Sequence, residues 1–219
     1  MLSTPTASAQ ETFWDRMAPK YARKPIADQA AYEEKLTKVA SLLRPTDHVL
    51  EIGCGTGGTA LHLASAVARM TATDGSHRMI EIARSKLGAD AQTNIAFHQA
   101  DAGAAVEGQP FDAICAYSLL HLVEDLPAVL RQVRAQLKPG GLLISKTVCL
   151  KHASLPIRVL VRLMRLVGFA PHVAFLDEAD LIRQLEDAQF EIEQTTHFGK
   201  GRLSPFIVAR RPSSDSGAA

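Results

Sequence analysis

The chain has 219 residues, 47% hydrophobic and 21% charged, a composition that fits one folded domain and excludes a disordered body. Its 24 Lys and Arg against 23 Asp and Glu leave a net charge of +1, too weak a field to collect nucleic acid or an anionic surface. Cys54, Cys115 and Cys149 stand too far apart for a Cys-x-x-Cys pair and are odd in number for a disulfide framework, so a reducing cytoplasm is the expected compartment.

Residues 1–11 and 212–219 are small and polar and read as disordered tails, with 12–211 as a single domain. The N-terminal residues lack the basic and apolar regions of a signal peptide, and apolar runs stop short of the ~18 residues a spanning helix needs. A helix is predicted over 12–21. A second runs over 28–43, where Tyr32, Leu36, Val39 and Leu43 recur at i, i+4, i+7 and i+11. After Arg44-Pro45-Thr46-Asp47, short strands alternate with helices. Strands are predicted over 48–52, 70–73, 94–98, 111–117 and 142–148. The intervening helices run from 58 to 67, from the Ser76 cap through Met79, Ile80 and Ala83, and from the Asp125 cap with Pro127 in its first turn. Such alternation implies a parallel sheet covered on both faces. A basic amphipathic helix is expected over 155–167 and an Asp177-capped helix to 188. The strands at 190–196 and 203–209 are too close for a parallel crossover, so they pair antiparallel.

Val49 to Ile52 runs into Gly53-Cys54-Gly55-Thr56-Gly57-Gly58 and then a helix. Glycine permits positive φ and close approach of a ligand to the backbone. As Gly53-x-Gly55-x-x-Gly58 the turn satisfies the dinucleotide fingerprint; as Gly53-x-Gly55-x-Gly57 after Glu51 it satisfies the S-adenosylmethionine version. Asp74, 21 residues beyond Gly53, stands where an acid accepts both hydroxyls of an adenosine ribose, which the two cofactors share.

Taken together, Glu51-Ile52-Gly53-Cys54-Gly55-Thr56-Gly57, Asp74, Gln99-Ala100-Asp101, Phe111-Asp112-Ala113 with Leu119-Leu120-His121-Leu122, and Leu137-Lys138-Pro139-Gly140-Gly141 resemble a class I S-adenosylmethionine-dependent methyltransferase. The similar group is the small-molecule type that includes the ubiquinone and menaquinone biosynthesis enzymes, and the resemblance covers roughly residues 13–210. It implies an α/β fold: a three-layer Rossmann-like sandwich whose seven-stranded, mostly parallel sheet ends in an antiparallel closing strand, with helices on both faces. It implies S-adenosyl-L-methionine as cofactor and S-adenosyl-L-homocysteine as product. By position, Gly53, Gly55 and Gly57, with Cys54 between them, would pack against the methionine part, and Glu51 would help hold its amino group. Asp74, followed by Gly75, would take the ribose hydroxyls. Met79 would cover the adenine, and Asp101 with the Ala102 amide would meet its amino group. Tyr117 and Ser118 would lie beside the sulfonium. Residues 12–46 resemble the helical cap of such enzymes, with Tyr21 at the carboxylate end, and 150–176 resembles their lid insertion.

The fourth strand ends Ala116-Tyr117-Ser118-Leu119 and not in an Asn/Asp-Pro-Pro-Tyr/Phe turn, which argues against amino-methylation of DNA or of a protein glutamine. Asp112 and Glu124-Asp125 are too few acids for the metal-dependent catechol type, so no metal is expected. His121 is the candidate general base; His152, His197 and Lys200 are further candidates for the pocket lining. Cys54 and Cys115 read as small buried fillers. Arg158, Arg162 and Arg165 share one face of the 155–167 helix, which reads as a packed helix, an apolar lid, or a peripheral membrane contact. The expected reaction is methyl transfer to a small hydrophobic or neutral molecule, the O-, S- or N-acceptor being open. The alternatives are a phospholipid or quinone enzyme recruited to a membrane, a small-thiol methyltransferase, an NAD-dependent oxidoreductase, or a non-catalytic cofactor-binding protein. Either a monomer or a homodimer is compatible with the sequence.

Overall fold

The stripe that predicts the second helix is the buried face of α2 (Gln29–Leu42), whose start is fixed by Asp28 accepting the Ala31 N–H at 3.0 Å. Such a cap contributes about 1 kcal/mol. The structure, a computed structural model, describes residues 9–88, 94–152, 172–199 and 201–213. Before α2 lies α1 (Ala9–Arg23), which starts three residues earlier than predicted. Thereafter β1 (His48–Ile52), α3 (Gly58–Ala64), β2 (Arg69–Asp74), α4 (His77–Ser85), β3 (Ile95–Gln99), β4 (Phe111–Tyr117) and α5 (Leu126–Gln136) follow in the expected alternation. Next come β5 (Leu137–Lys146), α6 (Glu178–Asp187), β6 (Glu191–Thr196) and β7 (Phe206–Arg210). Ser76, Asp125 and Asp177 cap α4, α5 and α6 as expected, each accepting a backbone N–H of the first turn.

The seven strands form one sheet in the order β3-β2-β1-β4-β5-β7-β6. β1 to β5 pair in parallel, and β7 runs antiparallel to both β5 and β6. β7 takes the inner position because Phe206, Ile207, Val208 and Ala209 are all fully buried; β6, with Glu191, Glu193 and Gln194, suits the half-solvated edge.

Two apolar layers close the sandwich. Val49, Met70, Ala72, Ala113, Ile144 and Val208 pack with Leu36, Val39, Leu63 and Ile80 on one face. On the other, Leu50, Ile52, Ile114, Leu143 and Ile207 pack with Leu130, Val133, Leu181 and Leu185. The strand order reverses between β1 and β4, and open α/β sheets place their ligand crevice at the carboxyl ends of the strands beside that switch.

Some boundaries differ from the sequence expectation. β5 begins at Leu137, where the Pro-Gly-Gly run reads as a terminator, because Leu137 pairs with Phe111 before a bulge returns the register at Ala113 and Leu142. Gly140, at φ 79°, makes the bend, and its N–H donates to Arg211 O at 2.9 Å. α3 stops at Ala64, with 65–67 in turns. The expected 155–167 helix, Lys200, and tail residues 1–8 and 214–219 lie outside the described residues. Among the described helices, none is long and apolar enough to cross a membrane.

Candidate functional site

The turn after β1 is shaped by what leans on it. Gly53 has φ 66°, and a Cβ there would stand 2.7 Å from Leu119 Cδ1. Gly57 has φ 76° and opens α3; a Cβ there would meet the Phe97 ring at 2.8 Å and Ala83 Cβ at 2.9 Å. The first glycine therefore lets the chain after β4 come close, and the third seats the loop against β3 and α4. Asp74, at the end of β2, braces the loop: Oδ2 accepts the Gly55 N–H at 2.8 Å and Oδ1 the Ser76 N–H at 2.9 Å. A carboxylate oxygen has a second lone pair, so each can still accept a hydroxyl. Burial raises the Asp74 pKa against the pull of those two N–H groups.

A cavity of about 540 Å³ opens above this loop, within the usual range for small-molecule sites. Tyr21, Gly53, Gly55, Asp74, Gly75 and Met79 line it, as do Asp101, Ala102, Tyr117, Ser118 and His121. Those eleven sequence candidates thus converge on one space. Glu51, Cys54 and Gly57 stand outside the lining, with Glu51 and Cys54 buried. His152 and His197 lie elsewhere, His152 Nε2 3.2 Å from Asp177 Oδ2 and His197 Nε2 3.0 Å from Glu178 Oε2. Asp112 is engaged at the opposite end of β4, holding Lys138 Nζ at 2.6 Å and the His48 N–H at 2.8 Å.

Sequence reasoning missed much of the remaining wall. Leu119, Leu122, Val123, Glu124 and Val129 form one side of it, and α1 supplies Gln10, Glu11 and Trp14. α1 is fastened as a roof. Gln10 Nε2 donates to Leu122 O at 2.8 Å, while Asp15 Oδ1 accepts from Ser76 Oγ at 2.6 Å and from the Arg78 N–H at 3.0 Å. Asp15 falls within the 12–46 segment that resembles a cap, but nothing in the sequence singles it out there.

The charge in the lining has one sign. Glu11, Asp74, Asp101 and Glu124 face the cavity, with no Lys or Arg among the described lining residues. Just behind the wall, Glu51 is 3% exposed, its Oε2 lacks a protein partner, and burial raises its pKa. Lys35, also missed, is its buried counter-charge, with burial lowering its pKa. It follows Tyr32 by three residues on the same helical stripe, which was the available signal. His121 is 8% exposed, its Nδ1 is unpartnered, and burial lowers its pKa to about 4. The imidazole is therefore neutral at pH 7 and free to accept a hydrogen bond. Cys54 and Cys115 are buried thiols whose pKa values burial raises, that of Cys115 to about 12, which suits fillers better than nucleophiles.

A cationic nucleoside with a ribose diol fits this chemistry. The acids match its charge, the braced Asp74 can take its hydroxyls, and the orphaned Glu51 oxygen offers a buried acceptor at the loop. Residues 21–195 match the family model described as a methyltransferase domain. The chain is 28% identical to the ubiquinone biosynthesis O-methyltransferase of Xanthomonas axonopodis pv. citri, over 87% of this chain and 80% of that one. It is 34% identical to a highly reducing polyketide synthase, PKS2, of Leptosphaeria maculans over 50% of this chain, but spans only 5% of that protein's length. Magnesium protoporphyrin IX methyltransferase from Synechocystis PCC 6803, solved with S-adenosylhomocysteine bound, has the same fold: TM-score 0.68, 21% identity, 92% of this chain and 95% of that one covered.

Proposed function

The chain belongs to the class I S-adenosylmethionine-dependent methyltransferases, and on that premise we propose that it methylates a small, uncharged and largely apolar molecule inside the closed pocket. The observation that carries this reading is the apolar part of the lining, where Trp14, Leu119, Leu122, Val123 and Val129 share the cavity with His121 and no cation stands among the described lining residues. A phosphate or carboxylate acceptor would be desolvated there with no counter-charge. A neutral ring or chain would gain by burial. The name of the Xanthomonas relative, an O-methyltransferase of ubiquinone biosynthesis, supports putting aromatic hydroxyls first among the acceptors.

When bound, S-adenosylmethionine supplies a methyl group already activated by its sulfonium leaving group. The residues that would hold it are Asp74 at the ribose, Asp101 and the Ala102 amide at the adenine edge, Met79 over the ring, Glu51 at the amino group and Tyr21 at the carboxylate end. Tyr117 and Ser118 would flank the reacting centre. What remains for the protein is alignment and exclusion of water, which positioning supplies without covalent catalysis. The roof held by Gln10 and Asp15 excludes water. The His121 imidazole orients an acceptor O–H or S–H by accepting its hydrogen bond. Burial keeps this imidazole neutral, so it can take the proton that the nucleophile loses as its bond to the methyl group forms and the bond from methyl to sulfur breaks. A thiol of pKa about 8.5 needs little such help, and a phenol of pKa about 10 needs more.

The test is transfer of labelled methyl from S-adenosylmethionine to quinols, phenols, thiols, amines and phospholipids, with and without anionic vesicles. Turnover on a quinol, phenol or thiol without vesicles is expected. Turnover confined to phospholipids, or dependent on vesicles, would replace this reading with the membrane-recruited one that the 155–167 segment suggests.

A further inference from the structure

Lys35 occupies a place where a helix normally presents an apolar side chain. It lies on α2 three residues after Tyr32 and four before Val39, and only 5% of it is exposed. Its Nζ stands 4.6 Å from the Tyr32 ring centroid and 4.2 Å from that of Tyr117. The ammonium is thus held against two aromatic rings, one of which is a wall of the cofactor cavity. The Tyr32 hydroxyl, 3.2 Å from Thr59 Oγ1, fixes the other.

A buried ammonium is costly unless a negative charge is close. The sheet face that Lys35 covers carries one: Glu51 of β1 lies beside Cys115 of β4, and Tyr117, against which Lys35 packs, follows two residues later on the same face. Burial drives a proton onto Glu51 and off Lys35, and the attraction between the two opposes both. Lys146 of β5 disfavours the charge on Lys35, and the Cys115 thiol faces it from β4. Asp74 of β2 disfavours the charge on Glu51; the Tyr21 phenol of α1 and the Tyr117 phenol feel Glu51 from the cavity side. Lys35 is therefore the group that favours an ionised Glu51 in surroundings that otherwise favour the acid.

We propose that Lys35 is a positioning residue of the cofactor site, its ammonium being the counter-charge that lets Glu51 stay negative where the amino group of the cofactor is held. The proposal rests on the reading that Glu51 meets that amino group. Without the Lys35 charge, Glu51 takes up a proton and the site loses its anion. S-adenosylmethionine and S-adenosylhomocysteine carry the same amino group, so affinity for both falls together. An effect on S-adenosylmethionine alone would place the action of Lys35 at the sulfonium through Tyr117, and would overturn the proposal.

The test is calorimetric binding of both molecules to the full chain from about pH 6.5 to about pH 9, where each unit of displaced titration is worth about tenfold in affinity. Lys35→Met is expected to weaken binding about tenfold or more near neutrality and to recover as pH rises and Glu51 ionises; Lys35→Arg is expected to stay near wild type. In a Glu51→Gln background, Lys35→Met should add nothing. A loss that is independent of pH, or that persists in Glu51→Gln, overturns the proposal. If Glu51→Gln alone leaves affinity unchanged, the Glu51 reading fails and takes the proposal with it; if it weakens binding while Lys35→Met is silent, only the role of Lys35 fails. Should Lys35→Met not fold, Lys35→Gln carries the same expectations. Proton release on binding, read in buffers of different ionisation enthalpy, is expected to be larger near neutrality for Lys35→Met than for the wild type, and equal release overturns the proposal.

Discussion

Part of the cavity lining is made of backbone turns and acids at strand ends, while another part is made of apolar side chains from 119–129 and the roof helix. The first is over-determined. Asp74 ties together Gly55 and Ser76, Gly53 accommodates Leu119, and Gly57 is locked against Phe97 and Ala83. The second depends on which side chains happen to meet, with an unpartnered His121 Nδ1 among them. The difference suggests that a common cofactor is gripped by features a fold can keep, and the acceptor by features it can exchange.

The sharpest way to break that contrast is at Gly57. Gly57→Ala puts a Cβ into a left-handed position 2.8 Å from a ring, so a loss of about 3 kcal/mol of stability is expected in chemical denaturation. A folded variant of near wild-type stability would show that the loop is not rigidly seated. Asp74→Ala comes next. It is expected to weaken S-adenosylmethionine binding by at least about tenfold, or about 1.4 kcal/mol, in calorimetry, and unchanged affinity would remove the ribose assignment.

The apolar part should respond in the opposite sense. His121→Ala is expected to lower kcat/KM for the acceptor by about tenfold to a hundredfold while cofactor affinity stays within about twofold. Equal losses in both would erase the division between the two parts. His121 also gives a stability signature. Its folded pKa, about 4, lies below the usual value of 6.5, so the unfolded chain binds the extra proton first. Its contribution is full above pH 6.5 and is lost as pH falls toward 4, which acid melts of wild type and His121→Ala would resolve. The smallest expected effect is at the roof. Asp15→Ala should raise the cofactor Kd a few-fold, at about 1 kcal/mol for the lost hydrogen bonds, with little change in melting.

The same contrast explains what could be read from the sequence. The strand, glycine turn and helix around Gly53, with Asp74 at its fixed distance, are local patterns with a period and a spacing. Eleven of the candidate residues do meet in one cavity because strand ends at a switch point have nowhere else to go. By comparison, Val123 and Val129 carry no motif, since any apolar residues of suitable size fill that wall. Lys35 stands beside the predicted apolar stripe of Tyr32, Leu36, Val39 and Leu43, where a charge is usually solvated. The antiparallel pairing of β6 with β7 followed from the short connection, but the insertion of β7 beside β5 is decided by burial across the whole sheet. β5 began earlier than expected because a bulge lets Pro139 and Gly140 sit within paired strands.

The fastening of α1 has a kinetic consequence. Asp15 serves two helices at once, anchoring the roof through Ser76 Oγ and the first turn of α4 through the Arg78 N–H. The Gln10 bond to Leu122 O ties the start of the same helix to the wall after β4. Lifting α1 off the cavity then breaks three hydrogen bonds at about 1 kcal/mol each, so how often this helix opens is set by how often all three break together.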